Sequence, residues 1–168
     1  HGPSFALIAG GRPDQAKALE DDGIPSYLHV PSPRLLKMFL EQGAKRFVFE
    51  GRECGGHVGP MSSMILWDSM ARCLLEEVKT PEQAEGLCIL FAGGIHDAAS
   101  AAMVACFAAP LAARGIACGV LMGTAYLFTK EAVDSGTIVS GFQKVMLDCK
   151  KTVTLETGPG HASRAAMS

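Results

Sequence analysis

The stretch Phe47-Val48-Phe49-Glu50-Gly51-Arg52-Glu53-Cys54-Gly55-Gly56-His57-Val58-Gly59-Pro60 joins a short apolar run to a glycine-rich loop. A continuous apolar run of this kind is typical of a strand that is buried on both faces, as in parallel sheets. In parallel α/β proteins, ligands bind where the carboxyl ends of the strands meet the following loops. The stretch therefore predicts an α/β fold and a candidate ligand site in the loop.

The same alternation of apolar runs and helical patterns extends in both directions along the chain. Four further runs are each short enough to be a buried strand and occupy residues 5–8, 27–30, 87–91 and 116–122. Apolar residues between the runs recur at helical spacing, most clearly at Trp67, Met70, Leu74 and Val78. Parallel neighbours need crossover connections, so strands alternating with helices predict a parallel sheet covered by helices.

Five strands are compatible with two architectures. One is a five-stranded doubly wound sheet, which the strand count alone favours; the other is part of an eight-stranded TIM-type (β/α)8 barrel. A complete barrel needs at least ~200 residues, and this chain has 168. On the barrel interpretation, residues 1–168 are the C-terminal portion of one domain and hold about the last five βα units.

The composition excludes several classes of protein. Fifteen Lys and Arg against 17 Asp and Glu give a net charge of −2, and no basic run is present that could neutralise a nucleic-acid backbone. No apolar segment reaches the ~20 residues of a membrane span. The six cysteines form no CxxC pair, which argues against a metal site and indicates reduced thiols in a cytoplasmic protein. We therefore expect no nucleic-acid, membrane or metal partner.

The glycine-rich loop contains one group suited to proton transfer. Gly55, Gly56 and Gly59 surround His57, which lets backbone approach a flat ligand closely. The imidazole is then the one side chain in the loop that can exchange a proton near pH 7. On spacing alone, a tight turn with an incidental histidine is equally compatible with this pattern.

Two further strand ends carry a pattern that suits a phosphate. Phe91-Ala92-Gly93-Gly94-Ile95 and Leu121-Met122-Gly123-Thr124 each end an apolar run in glycine, and a hydroxyl follows the second. Backbone N–H groups at such positions bind phosphate, as they do in the last two loops of a barrel, although each glycine taken singly is more often a plain turn. The sequence contains neither GxGxxG nor GxxxxGK[ST], which disfavours a dinucleotide-type Rossmann fold and an NTPase.

These motifs, in this order, resemble the flavin-dependent nitronate monooxygenase (2-nitropropane dioxygenase-like) family. The resemblance rests on residues 50–59, 92–95 and 122–124 and extends over nearly the whole chain. The family includes FMN-dependent enoyl reductases of fatty acid and polyketide synthesis. Val30-Pro31-Ser32 and the Glu50-Gly51 pair are more similar to that branch.

The resemblance implies a TIM-type barrel that holds FMN at the carboxyl ends of the strands. It places the phosphate at Gly93, Gly94, Gly123 and Thr124, and it places Gly55 and Gly56 close to the cofactor. The catalytic histidine of the family falls on His57. NAD(P)H is the implied reductant.

The resemblance leaves three functions open. The first is an enoyl-thioester reductase domain of a polyketide or fatty acid synthase, whose substrate is an acyl thioester carried, for example, on an acyl carrier protein. The second is a nitronate monooxygenase-type flavin oxidase, and the third is a non-catalytic scaffold piece. In the first, His57 or another nearby acid protonates the α-carbon while the flavin delivers hydride to the β-carbon.

The chain departs from the family pattern at three places, one of which is the stretch from Ala105 to Cys118, several residues longer than in compact members. Cys54 stands where the family usually has alanine, and packing is the simplest role for it. The opening strands of the family barrel have no counterpart, and five parallel strands leave two sheet edges unpaired. We therefore expect the remaining barrel segment, other synthase domains or a second copy of the chain to cover these edges.

Overall fold

The computed structural model describes residues 2–167, so the first and last residues of the predicted 1–168 domain lie outside the described part. Residues 2–167 form eight strands: β1 Ala6–Ile8, β2 Ser26–His29, β3 Arg46–Glu50, β4 Gly56–Val58, β5 Cys88–Ala92, β6 Ala117–Leu121, β7 Thr152–Gly158 and β8 His161–Ala166. The α-helices are α1 Pro13–Asp21, α2 Pro33–Glu41, α3 Ser63–Glu77, α4 Pro81–Ala84, α5 Ala98–Ala112, α6 Lys130–Asp134 and α7 Ser140–Asp148, and a 3-10 helix spans Thr124–Phe128.

The main sheet has five parallel strands in the order β1-β2-β3-β5-β6. Each strand along the chain is added to the same side of the one before it. Right-handed crossovers that never reverse direction put all their helices on one face of the sheet. A doubly wound sheet reverses direction once and places helices on both faces. The doubly wound alternative is therefore wrong, and the winding is that of a (β/α)8 barrel.

The hydrophobic core fills the space between this sheet and its helices. Leu28, Phe47, Phe49, Ile89 and Phe91 project from the strands and are fully buried. On the helix side, the Trp67 ring packs edge-on against Phe91 at 5.9 Å, and its Nε1 donates a hydrogen bond to the Phe49 carbonyl. Successive side chains of a strand point to opposite faces, so the residues between the core residues face away from the helices.

The structure confirms the five predicted parallel strands to within one residue at each end. Three glycines that follow α1, α2 and α5 have positive φ angles of 81° at Gly23, 85° at Gly43 and 87° at Gly115. This left-handed conformation ends helices and favours glycine, because a Cβ would be strained there.

A second, antiparallel sheet of three strands, β4-β8-β7, lies beside the main sheet. Of these three strands, the sequence predicts only the start of β7, where residues 152–155 form a short β-like run. Strand β4 lies inside the glycine-rich loop and β8 consists mostly of small residues, so neither shows the alternation of apolar and polar residues that indicates a strand. The pairing of β4 with β8 anchors the glycine-rich loop to the last described segment of the chain.

No helix within residues 2–167 is both long enough and apolar enough to cross a membrane.

Candidate functional site

A cavity of about 1220 Å³ opens at the carboxyl end of the main sheet. Its wall combines the glycine-rich loop, the segments that follow β5 and β6, helix α7 and strand β8. All six residues predicted to bind the cofactor line it: Gly55, Gly56, Gly93, Gly94, Gly123 and Thr124. Three loops that are far apart in sequence therefore meet at one site.

The first residue of α3 fixes the glycine-rich loop against the end of β5. The backbone N–H of Ser63 donates to the Glu53 carboxylate at 2.7 Å, and the buried Ser63 hydroxyl lies within hydrogen-bond distance of Glu53 and of the Gly93 carbonyl. Burial alone would raise the pKa of Glu53, but the hydrogen bonds from Ser63 hold it below its ordinary value. Glu53 is thus an ionised anchor for the loop rather than a proton donor.

Two glycines allow this close contact. A Cβ at Gly51 would lie 2.1 Å from the Ser63 hydroxyl oxygen and 2.3 Å from its Cα. Gly93 has a φ of +110°, and its Cβ would lie 2.4 Å from the same oxygen. Because the contact at Gly51 is partly with backbone, a rotamer change of Ser63 cannot relieve it.

We expect Gly51→Ala to lower the free energy of unfolding by about 1–3 kcal/mol, the usual cost of overpacking a tight contact. Urea denaturation monitored by circular dichroism measures this difference. Gly59→Ala is the matched control, since its Cβ would have only ordinary contacts at 3.8 Å. Equal unfolding midpoints for the two variants would show that the loop does not pack on Ser63 in this way.

The glycines nearer the cavity behave differently from Gly51. Gly56 and Gly123 line the cavity, and a Cβ at either position would have no atom within 4 Å, so a side chain there would enter open space. Gly94 has a φ of +74°, and its Cβ would approach Glu53 to 3.1 Å. A Cβ at Gly55 would approach the Thr124 hydroxyl to 2.9 Å, so the two loops come close together. Because these positions lack side chains, the backbone itself is exposed along this part of the cavity wall.

His57 lies on β4, opposite Ser163 of β8, and is exposed. Its neighbour Gly56 lines the cavity, and alternation along the strand turns the His57 side chain to the other face. The structure therefore brings six of the seven predicted site residues together, but His57 is not among the residues that line the cavity. Its catalytic role stays a prediction.

Two other histidines near Gly/Pro turns are exposed. His96 lines the cavity just after Gly94, with its Nδ1 3.0 Å from the Gly94 carbonyl. His161 begins β8 beyond the hairpin turn and is not among the cavity-lining residues. Within the described part of the chain, no group of three or more His, Cys, Asp or Glu side chains could hold a metal ion.

A histidine–carboxylate pair joins the last residues of two neighbouring strands. His29 Nδ1 lies 2.6 Å from the Glu50 carboxylate, and the side chains are 21% and 25% exposed, respectively. Burial would raise the pKa of Glu50, but hydrogen bonding to His29 and Cys54 and the charge of His29 hold it below its ordinary value. Glu50 also lines the cavity. Sequence reasoning gave neither Glu50 nor Glu53 a partner, and the structure supplies His29 and Ser63.

Cys54 is buried beneath the loop, and its thiol donates a hydrogen bond to the His57 carbonyl at 3.2 Å. Burial, followed by the nearby charge of Glu50, raises the pKa of Cys54 to about 12. The side chain is therefore a neutral thiol at physiological pH, which agrees with the predicted packing role. All six cysteines are free.

Arg164 on β8 is a basic side chain of the cavity wall that the sequence analysis missed. Its guanidinium donates to the Thr152 hydroxyl at 3.0 Å and to the Arg52 carbonyl at 3.1 Å, which ties the hairpin to the glycine-rich loop. Its buried Nε has no partner within residues 2–167. No local motif marks Arg164, because the pairing of β8 with β4 alone brings it to the site.

The comparisons with known proteins agree with this fold. Residues 3–158 match the family described as nitronate monooxygenase. The chain is similar to FabK from Thermotoga maritima, with a TM-score of 0.68 and 23% identity over 96% of this chain and 46% of that one. It is also similar to nitroalkane oxidase from Streptomyces ansochromogenes, with a TM-score of 0.63 and 18% identity over 98% of this chain and 44% of that one.

A third match connects the chain with a protein whose name includes a coenzyme A thioester. The Mycobacterium tuberculosis protein named (3aS,4S,5R,7aS)-5-hydroxy-7a-methyl-1-oxo-octahydro-1H-indene-4-carboxyl-CoA dehydrogenase is 27% identical over 119 residues. The match covers 71% of this chain and 29% of that protein. The chain thus spans less than half the length of each of these three relatives.

Proposed function

Because the chain belongs to the nitronate monooxygenase family, we propose that it acts as an FMN-dependent oxidoreductase that reduces enoyl thioesters. The observation that carries this proposal is the meeting of Gly55, Gly56, Gly93, Gly94, Gly123 and Thr124 around one cavity. Members of the family bind FMN, and these glycines offer backbone to a phosphate and a flat ring.

The residues present fit such a cofactor. The cavity exceeds the ~300–1,000 Å³ typical of ligand pockets, so a flavin and a substrate have room together. Leu127, Phe128 and Met146 supply an apolar part of the wall. A Cβ at Gly123 would have no atom within 4 Å, so the glycine leaves open space beside the backbone. Gly93, Gly94, Gly123 and Thr124 would hold the phosphate, and Gly55 and Gly56 would lie close to the cofactor.

When bound, FMN would supply the hydride chemistry for reduction at the β-carbon, with NAD(P)H as the reductant. The residues of the chain bind and orient the reactants and transfer the proton. The family pattern assigns the proton of the α-carbon to His57, although alternation along β4 turns this side chain away from the cavity. The fold likeness to FabK and the thioester named in the mycobacterial relative support this substrate class.

A second candidate is oxidation of an alkyl nitronate. The fold likeness to a nitroalkane oxidase favours it, although the TM-score of 0.63 is slightly lower than for FabK. The third candidate is a scaffold piece without catalytic activity. If it is correct, the protein binds no flavin.

We also propose that the five parallel strands are the last five units of a (β/α)8 barrel in a polyketide or fatty acid synthase. The sequential strand order supports the barrel. Within the described residues, β1 and β6 each have one unpaired edge, which a barrel closes. The remaining barrel segment, another synthase domain or a second copy of the chain would cover these edges, and an acyl carrier protein would deliver the substrate.

Absorbance spectroscopy and steady-state kinetics test these alternatives. A bound flavin spectrum excludes the scaffold. NAD(P)H oxidation that depends on crotonyl-CoA supports the reductase, whereas oxygen consumption that depends on ethyl nitronate supports the oxidase. A flavoprotein with only the second activity would overturn the proposed substrate class.

A further inference from the structure

The His29 and Glu50 pair at the carboxyl end of the main sheet has no role in the function proposed above. His29 ends β2 and Glu50 ends β3, and these strands are neighbours in the sheet. Their chain neighbours Leu28 and Phe49 are fully buried against the helices. Alternation therefore places His29 and Glu50 on the opposite face. Glu50 lines the cavity; His29 is not itself among the lining residues and is connected to the cavity through its contact with Glu50.

We propose that His29, oriented by Glu50, is a second proton-transfer residue of this cavity, separate from His57. It exchanges a proton at the carbon next to an activating carbonyl or nitro group of the substrate. The proposal rests on the assignment of the cavity as the active site, and it applies to either candidate substrate class.

The contact between the two side chains supports this role. The 2.6 Å distance joins Nδ1 of the imidazole to the Glu50 carboxylate, so the carboxylate fixes the ring and holds a proton on Nδ1. Nε2 has no hydrogen-bond partner among the described residues and remains for contact with a ligand. A carboxylate behind one imidazole nitrogen is the arrangement that orients a histidine for proton transfer at the other nitrogen.

The surroundings keep the carboxylate ionised and leave the histidine accessible. Hydrogen bonding and the charge of His29 hold the pKa of Glu50 below its ordinary value against the effect of burial. Cys54, which also lies against Glu50, is a neutral thiol because its own pKa is raised. The His29 side chain is about one fifth exposed, so a small substrate can reach it.

The chemical step is a balanced acid–base exchange. Nε2 takes the α-proton, the C–H bond breaks, and its electron pair moves into the carbonyl or nitro group to give an enolate or a nitronate. Return of a proton from the imidazolium to the same carbon reverses the step. Neither an oxidant nor a reductant is needed, so the exchange can be measured apart from redox turnover.

Hydrogen–deuterium exchange at the α-carbon of nitroethane in D2O without oxygen, followed by NMR, tests this proposal. We expect His29→Gln to slow the protein-catalysed exchange by ~10²-fold or more, the usual contribution of a positioned acid or base. His161→Gln is the control, because His161 is exposed and, unlike His29, is not paired with the Glu50 carboxylate.

Glu50→Gln tests the positioning role and still gives an answer if His29→Gln fails to fold. We expect slower exchange and a changed 15N NMR signal of the His29 ring, with the circular dichroism spectrum unchanged. Exchange at the wild-type rate in folded His29→Gln, or in Glu50→Gln with an altered ring signal, would overturn the proposal. Exchange that depends on His29 without any reduction of crotonyl-CoA would support the proton-transfer site and contradict the proposed redox function.

Discussion

Replacement of His57 by alanine is expected to lower the turnover of an enoyl thioester by ~10² to 10⁴, the usual contribution of a positioned general acid. The flavin content should stay at the wild-type level, because His57 is exposed and outside the cavity wall. Its loss also creates no buried cavity, so the free energy of unfolding should change by less than ~0.5 kcal/mol. Steady-state kinetics with crotonyl-CoA, together with the flavin absorbance of the purified variant, measures both effects.

The matched control for His57→Ala is Ser163→Ala, which alters the residue paired with His57 on β8 and leaves the imidazole in place. Full activity in His57→Ala would show that the family pattern assigns the wrong proton donor for this chain. His29, whose ring is oriented by Glu50, would then be a candidate proton donor at the carboxyl end of the sheet. Comparison of His57→Ala with His29→Gln therefore separates the role implied by resemblance from the role inferred from geometry.

The parallel strands could be predicted from the sequence because burial on both faces leaves a local signal. Residues 47–49 and 87–91 are apolar throughout, whatever the order of the strands. The strand order leaves no such signal, which is why strand count alone favours the doubly wound sheet. Only the observed pairing of β3 with β5 and of β5 with β6 shows the single direction of winding.

The cofactor residues were predictable for a similar reason. Gly55, Gly94 and Gly123 each lie just beyond the carboxyl end of a parallel strand, and those ends necessarily share one edge of the sheet. The partners of charged side chains were not predictable. The contact between His29 and Glu50 depends on the register of β2 against β3. The position of Arg164 depends on the antiparallel sheet, and no apolar pattern in the sequence predicts that sheet.

Gly123→Val is expected to weaken FMN binding by ~10²-fold, because the side chain would fill the space assigned to the phosphate. Hydrogen bonds to a charged group contribute about 1.5–3 kcal/mol each, so the loss of one of them is enough for this change in affinity. The fold should tolerate the substitution, since no atom lies within 4 Å of a Cβ at Gly123 and its φ of −88° suits any residue. Fluorescence titration with FMN measures the affinity, and thermal unfolding of the flavin-free protein measures the stability.

The choice of Gly123 rather than Gly94 decides what this experiment can show. Gly94 has a φ of +74° and a close neighbour in Glu53, so valine there would also strain the backbone, and weaker FMN binding would have two causes. Gly59→Val is the control, because Gly59 belongs to the same glycine-rich loop but does not line the cavity. If Gly123→Val and Gly59→Val bind FMN equally well, the phosphate does not lie at the end of β6, and the assignment of Gly123 and Thr124 to it is wrong.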